Sequence, residues 1–326
     1  MKTIIFFNNK KDVGKSSLIY HLAWAYADSG VKVLAADFDP QSDLTRMFLN
    51  EDQQNDLWPE SEHTHTLFSA LKPILKGLSD INKPYLKMVT DEIGLLVGDL
   101  GLSLLEDPIS DAWNRCLDND ASAFKITSLF KTILSNAYQE HKADIALIDI
   151  GSNLGAINRA ALLAADYVIV PLSTDSLSLQ AFKSLGSRLH HWCNSWQLRL
   201  QKNTDENLSL PPGKIQQAGY IILQHSPFKV CANWPTKVPD YYYKEFLNQD
   251  LPVTNLRVDK DDQCLSIMRH YRCLMLMSRE AHKPIFHLKP ADGSIGVHVS
   301  ASIDCGREFK KMARRIAKVV GIDEDL

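Results

Sequence analysis

The chain has 326 residues, of which 45% are hydrophobic and 23% charged, with a formal net charge of −3. That length holds one large α/β domain, with or without a small appendage. The charge excludes a protein that is basic all over, though not one with a basic face. Six cysteines without a C-x-x-C pair point to reduced thiols in a cytosolic protein.

Met1-Lys2 leads directly into an apolar strand, Thr3 to Phe7, too short for the h-region of a signal peptide. No stretch approaches the length needed to span a bilayer, so a soluble, cytoplasmic protein is expected. Residues 8–15 read as a loop. Ser16 to Ser29 reads as a helix with Leu18, Leu22 and Ala25 on one face and Gly30 as its stop. Val31 to Ala36 is a second apolar strand, ending in Asp37-Phe38-Asp39-Pro40. Strand, loop, helix and strand make a βαβ unit, which implies a parallel sheet. Residues 50–66 read as a polar surface excursion, and 67–142 as mostly helical around a short strand at Gly94 to Val97. Further buried strands are expected at Asp144 to Ile150, Tyr167 to Pro171 and Gly219 to Leu223, with a loop at 200–214. The expected architecture is a single doubly wound, mostly parallel α/β domain over 1–326. Helical or loop insertions are expected at 50–142 and 226–264, and a basic helix at 305–320.

The loop after the first strand ends in Gly14-Lys15-Ser16, the close of a G-x-x-x-x-G-K-[ST] phosphate-binding motif. Asn9 stands where the pattern has its first glycine, and Asn tolerates left-handed backbone better than most residues. Such a loop works because consecutive backbone N–H groups point into a nest at a helix N-terminus, where phosphate charge is stabilised. Lys11, Asp12, Val13, Gly14, Lys15, Ser16 and Ser17 are the expected nucleotide-binding stretch. Lys15 would reach the terminal phosphates and the Ser16 hydroxyl would bind Mg²⁺. Asp149, closing an apolar strand, has the character of a Walker B aspartate that orders the metal shell. Asp37 and Asp39 end the strand after the loop's helix, where one carboxylate could orient an attacking water.

The stretches KKDVGKSS, VLAADFDPQSDLT and ADIALIDIGSNLGAINRAALLAADYVIVPLSTDSLSLQAF resemble the three core motifs of the ParA/MinD family of deviant-Walker ATPases, the ParA branch in particular. The resemblance covers about residues 1–49, 94–113, 143–225 and 265–318. It implies ATP, Mg²⁺, slow hydrolysis and a nucleotide-gated homodimer. Lys10 matches the family's signature lysine, which reaches the partner's phosphates across the dimer, and Asp39 its hydrolysis-linked aspartate. Lys10, Lys15 and Asp39 are therefore the catalytic set, and Ser16, Asp39 and Asp149 the metal set. Two departures stand out. The family's glycines after the signature lysine are Lys11 and Asp12 here, and its Pro-Pro after the Walker B aspartate is Gly151-Ser152.

ParA-like ATPases bind DNA without sequence preference through basic side chains. Arg307, Lys310, Lys311, Arg314, Arg315 and Lys318 fall on one side of the expected C-terminal helix, opposite an apolar stripe of Phe309, Met312, Ala313, Ile316 and Val320. The resemblance implies nonspecific DNA, a nucleoid location and a stimulating partner, ParB-like or a cargo adaptor, in a system that positions or segregates a cargo. A MinD-like membrane foot ranks below this, because the apolar side has the spacing of a core face. His190 and Cys193, one helical turn apart, lack the second pair a zinc site needs. The rival readings are a metabolic enzyme on the same fold and an ATP-binding interaction module of a multi-protein system such as antiviral defence.

Overall fold

A computed structural model describes residues 1–58, 64–225, 238 and 263–322. The backbone alone is described at 176, 179, 183, 224 and 225. The expected insertion at 226–264 lies almost wholly outside the described residues.

In chain order the elements are β1 (Lys2–Phe6), α1 (Lys15–Ala27), β2 (Val33–Asp37), α2 (Asp43–Phe48), α3 (Glu51–Leu57) and α4 (Leu67–Leu75). Next come β3 (Leu86–Met88), β4 (Ile93–Leu96), α5 (Glu106–Arg115), α6 (Ala121–Thr127), α7 (Leu129–His141), β5 (Ile145–Asp149) and α8 (Ala156–Ala164). The chain continues through β6 (Tyr167–Ser173), α9 (Ser176–Leu200), β7 (Gln216–His225), β8 (Cys264–Arg269), α10 (Cys273–Ala281) and α11 (Val297–Val320).

Among the described residues the strands form one eight-stranded sheet in the order β3-β4-β2-β5-β1-β6-β7-β8. All pairings are parallel except β3 with β4. The period-two alternation of each strand divides its side chains between two cores. Ile5 and Phe7 face the layer built by α4 to α9, whereas Ile4 and Phe6 face the layer of α1, α2 and α11. Both faces are covered, so the central strands read as unbroken apolar runs.

Two parts of the pattern differ from expectation. Residues 50–142 carry helices but also supply β3 and β4 to the main sheet, and the polar start of this stretch forms α3, closed by an Asn50–Gln53 capping box. The C-terminal part adds β8 to the sheet edge, its short apolar character interrupted by Ser266 and closed by Arg269. The basic helix begins earlier than expected, at Val297.

The order places β1 between β5 and β6, so the chain reverses direction of growth at β1. Open α/β sheets bind ligands beyond the carboxyl ends of strands at such a point. There the β1–α1 loop, the ends of β2 and β5, and the loops after β5 and β6 converge.

Candidate nucleotide-binding site

The β1–α1 loop is bolted to the neighbouring strand end. Asn8 is buried, its Nδ2 donates to the Pro171 carbonyl at 2.7 Å, and its Oδ1 accepts from the Lys10 amide at 2.9 Å. Left-handed backbone occurs at Asp12 (φ 59°) and Gly14 (φ 89°), and not at Asn9. The structure thus moves the demand for an unusual dihedral from the missing first glycine to Asp12, one of the few non-glycine residue types that tolerate it. α1 begins directly after Gly14 and has no acidic residue in its first turn. Its N-terminal N–H groups therefore keep their full attraction for an anion.

Three carboxylates stand at this end of the sheet. In the parallel register Asp149 is level with Phe6 of β1 on one side and with Asp37 of β2 on the other. Asp37 is wholly buried; its Oδ2 accepts from the Thr45 amide at 2.8 Å and the Thr45 hydroxyl at 2.7 Å. The same hydroxyl accepts from the Gly98 amide at 2.9 Å, an approach that needs glycine, since a Cβ there would lie 2.8 Å from the Asp37 carboxyl carbon. Burial, then the Asp149 charge, raises the Asp37 pKa well above the carboxylate range. Asp149 is equally buried, and neither of its oxygens sits in a well-formed hydrogen bond, the Ser16 hydroxyl lying close enough only to lower its pKa. Its pKa is raised to about 7, chiefly by burial; Lys15 and the Ser16 side chain pull it down and Asp39 pushes it up. Asp39 is half-buried, its Oδ1 accepting from the Gln41 amide at 2.9 Å. A Cβ on Gly151 would lie 3.4 Å from that same oxygen, so the loop after β5 runs beside Asp39.

Orphaned buried carboxylate oxygens are costly unless something positive completes them. Asp149 with its neighbours Ser16 and Asp39 is a hard-oxygen donor set of the kind Mg²⁺ takes. The residues present therefore fit the metal.

Two of the three lysines of this stretch, Lys10 and Lys15, are already engaged within the chain. Lys15, only 7% exposed, donates its Nζ to the Ser152 hydroxyl. Lys10 Nζ donates to Ser173 Oγ at 2.9 Å and to Asp175 Oδ2 at 2.6 Å. Asp175 in turn caps α9 through the Ser178 amide at 2.9 Å, and these bonds to the charged form, led by Lys10, hold its pKa low against partial burial. Lys11 and Asp12 are exposed at the loop's tip.

Residues 1–203 match the protein family described as AAA domain. The chain belongs to the ParA-like P-loop ATPases. It is 29% identical over 190 residues to protein IncC of Escherichia coli, a match covering 57% of this chain and 44% of that protein. The chain therefore aligns with less than half the length of that curated relative. Among solved structures, it resembles protein DIP2308 of Corynebacterium diphtheriae (TM-score 0.68, 22% identity, 86% of this chain and 97% of that one). It also resembles a putative plasmid partition protein of Borrelia burgdorferi bound to AMPPNP (TM-score 0.56, 18% identity, 97% of this chain and 98% of that one). At these identities the two structures share the fold.

In this ParA-like chain a cavity of about 510 Å³ adjoins the loop. Asp12, Gly14 and Ser17 form one wall, while Met268 to Arg272, Met275 and Phe309 form the others. Sequence reasoning missed this wall, because β8 and the turn after it join the site only through the sheet. The turn is marked by Arg272 at φ 46°, ψ −118°, whose amide donates to His270 Nδ1 at 2.8 Å. His21 ties α1 to the same region. Its Nε2 accepts from the Ile285 amide at 3.2 Å, so Nδ1 carries the proton and donates to the Ser17 carbonyl at 2.7 Å. Burial lowers its pKa to about 4, and the ring stays neutral, stacked on Phe309.

Arg307, Lys310, Lys311, Arg314 and Lys318 are exposed along α11, and Arg315 is half-buried. Arg307 leans toward Asp304 at 3.4 Å. The stripe Phe309, Met312, Ala313, Ile316 and Val320 is buried in the core shared with α1, and Tyr26 anchors it by donating to the Ala313 carbonyl at 2.9 Å. A stripe so used is not free to enter a lipid surface. Among the described residues no helix is long and apolar enough to cross a membrane, and no group of three His, Cys, Asp or Glu side chains is placed to hold a metal ion. His190 Nε2 instead accepts from Asn194 Nδ2 at 2.7 Å.

Proposed function

We propose that this ParA-like protein, as a single domain with insertions at 50–142 and 226–264, is an ATP-dependent dimerising switch that binds nonspecific DNA and positions or segregates a cargo. The observation that carries the reading is the conjunction, at the carboxyl ends of the central strands, of left-handed backbone at Asp12 and Gly14, the buried Lys15 and the buried Asp149. The backbone N–H groups of 11–17 and the Lys15 ammonium would hold the ATP phosphates, and the adjoining cavity the nucleoside. Ser16, Asp39 and Asp149 would hold Mg²⁺, which supplies neutralisation of phosphate charge. Asp39, half-buried beside the loop after β5, would accept a proton from an attacking water. Lys10 would leave Asp175 and Ser173 to reach the phosphates of a second copy. The plasmid partition protein of Borrelia burgdorferi holds AMPPNP, which supports the choice of ATP.

The exposed basic side of α11 is the proposed phosphate-contacting surface for DNA, with a ParB-like or adaptor protein as the stimulating partner. Such a contact releases counterions and weakens steeply with salt. The test is DNA binding by the full chain with ATP, ADP and no nucleotide across a salt series. ATP should raise both DNA affinity and the mass in solution. Lys310→Ala, Lys311→Ala and Lys318→Ala together should lower the log–log salt slope by about 2 to 3. Lys15→Ala should abolish the response to ATP. If ATP changes neither DNA affinity nor mass in the wild type, the switch reading fails.

A further inference from the structure

We propose that Ser152 is a positioning residue: its hydroxyl aims the Lys15 ammonium and ties nucleotide occupancy to the conformation of the loop between β5 and α8. The inference rests on the nucleotide-binding reading above and deepens it.

Lys15 has a charged alternative close by. The Asp149 carboxylate is near enough for the lysine's charge and the Ser16 hydroxyl to lower its pKa. The ammonium donates to Ser152 Oγ instead. A hydroxyl accepts one of the three ammonium protons without neutralising the charge, leaving two protons and the full field for phosphate oxygens. A carboxylate in the same place would compete with the ligand. Where ParA-like motifs have a second proline after the Walker B aspartate, this chain has a side chain with an acceptor.

The loop that carries Ser152 is held on both sides of it. Asn158 is buried and donates through Nδ2 to the Gly151 carbonyl at 2.7 Å and the Asn153 carbonyl at 2.8 Å. The Gly155 amide donates to Asn153 Oδ1 at 2.8 Å. The first amides of α8 donate to the Glu106 carboxylate, from Ile157 at 3.2 Å and from Ala156. A shift of Ser152 with the lysine therefore passes through Gly151 and Asn153 to the start of α8. A serine that merely filled the loop would leave nucleotide binding and loop response untouched.

The experiment uses the full chain as wild type, Ser152→Ala and Ser152→Thr. Affinity for Mg²⁺–ATP and for ADP is measured calorimetrically, and amide hydrogen exchange is followed over residues 150–157. Losing a hydrogen bond to a charged group should weaken ATP binding by about tenfold or more in Ser152→Ala. Nucleotide should slow exchange of the loop in the wild type and in Ser152→Thr, which keeps the hydroxyl, and not in Ser152→Ala. Wild-type affinity together with wild-type loop protection in Ser152→Ala overturns the proposal. Failure of the wild type to bind either nucleotide overturns the underlying reading instead.

Discussion

Asp149→Asn tests whether the charge at the end of β5 is held against the protein's own stability. The side chain is fully buried and neither oxygen sits in a well-formed hydrogen bond. Its pKa rises from 3.8 to about 7, so the folded state binds this proton more tightly than the unfolded chain does. With more protons bound in the folded state, stability falls as pH rises from about 4 to about 7 and levels off above that. At about 1.36 kcal/mol per pKa unit the loss is on the order of 4 kcal/mol by pH 8. A chain of this size has an unfolding entropy near 0.7 kcal/mol/K, so the loss corresponds to about 6 °C in melting temperature. Asparagine keeps the shape and carries no charge. In EDTA and without nucleotide, Asp149→Asn should melt several degrees above the wild type at pH 8 and within about a degree of it at pH 4.5. The wild type should regain the difference when Mg²⁺ and ATP are added, and the variant should not. Thermal unfolding followed by circular dichroism across this pH range is the measurement. An asparagine variant less stable than the wild type at pH 8, or an offset independent of pH, would refute the argument from burial.

Gly14→Ala should lower stability by about 1–2 kcal/mol, since φ is 89° there and a Cβ is strained in left-handed backbone; a urea titration reads the loss, and an unchanged midpoint counts against the nest. Glu106→Gln removes the charge from the N-terminus of α8 while keeping an acceptor. It should cost about 0.5–1 kcal/mol at low ionic strength and less in 0.5 M salt, and a cost insensitive to salt would argue against the helix-end charge interaction.

The central strands and the loop chemistry were legible because their signals are local. Thr3 to Phe7, Asp144 to Ile150 and Tyr167 to Pro171 are apolar runs of strand length, and such runs bury on both faces. Gly14-Lys15-Ser16 and the stripe along α11 are likewise written in consecutive or helically spaced residues. The edges were harder. β3 and β8 are short and interrupted by polar residues, and their strand character comes from pairing with β4 and β7.

The sequence by itself determined a doubly wound sheet, a phosphate loop before α1, and a carboxylate closing β5. Each follows from side-chain periodicity or from a backbone requirement inside a few residues. Only the tertiary structure decided what those groups touch. It gave Lys15 to Ser152, 137 positions away, and Lys10 to Asp175, 165 away. It put the left-handed dihedral on Asp12, buried Asp149 at the end of β5, and brought the turn at Arg272 to the wall of the cavity. These contacts depend on the order in which strands are laid side by side, and that order is set by the packing of the helices on both faces.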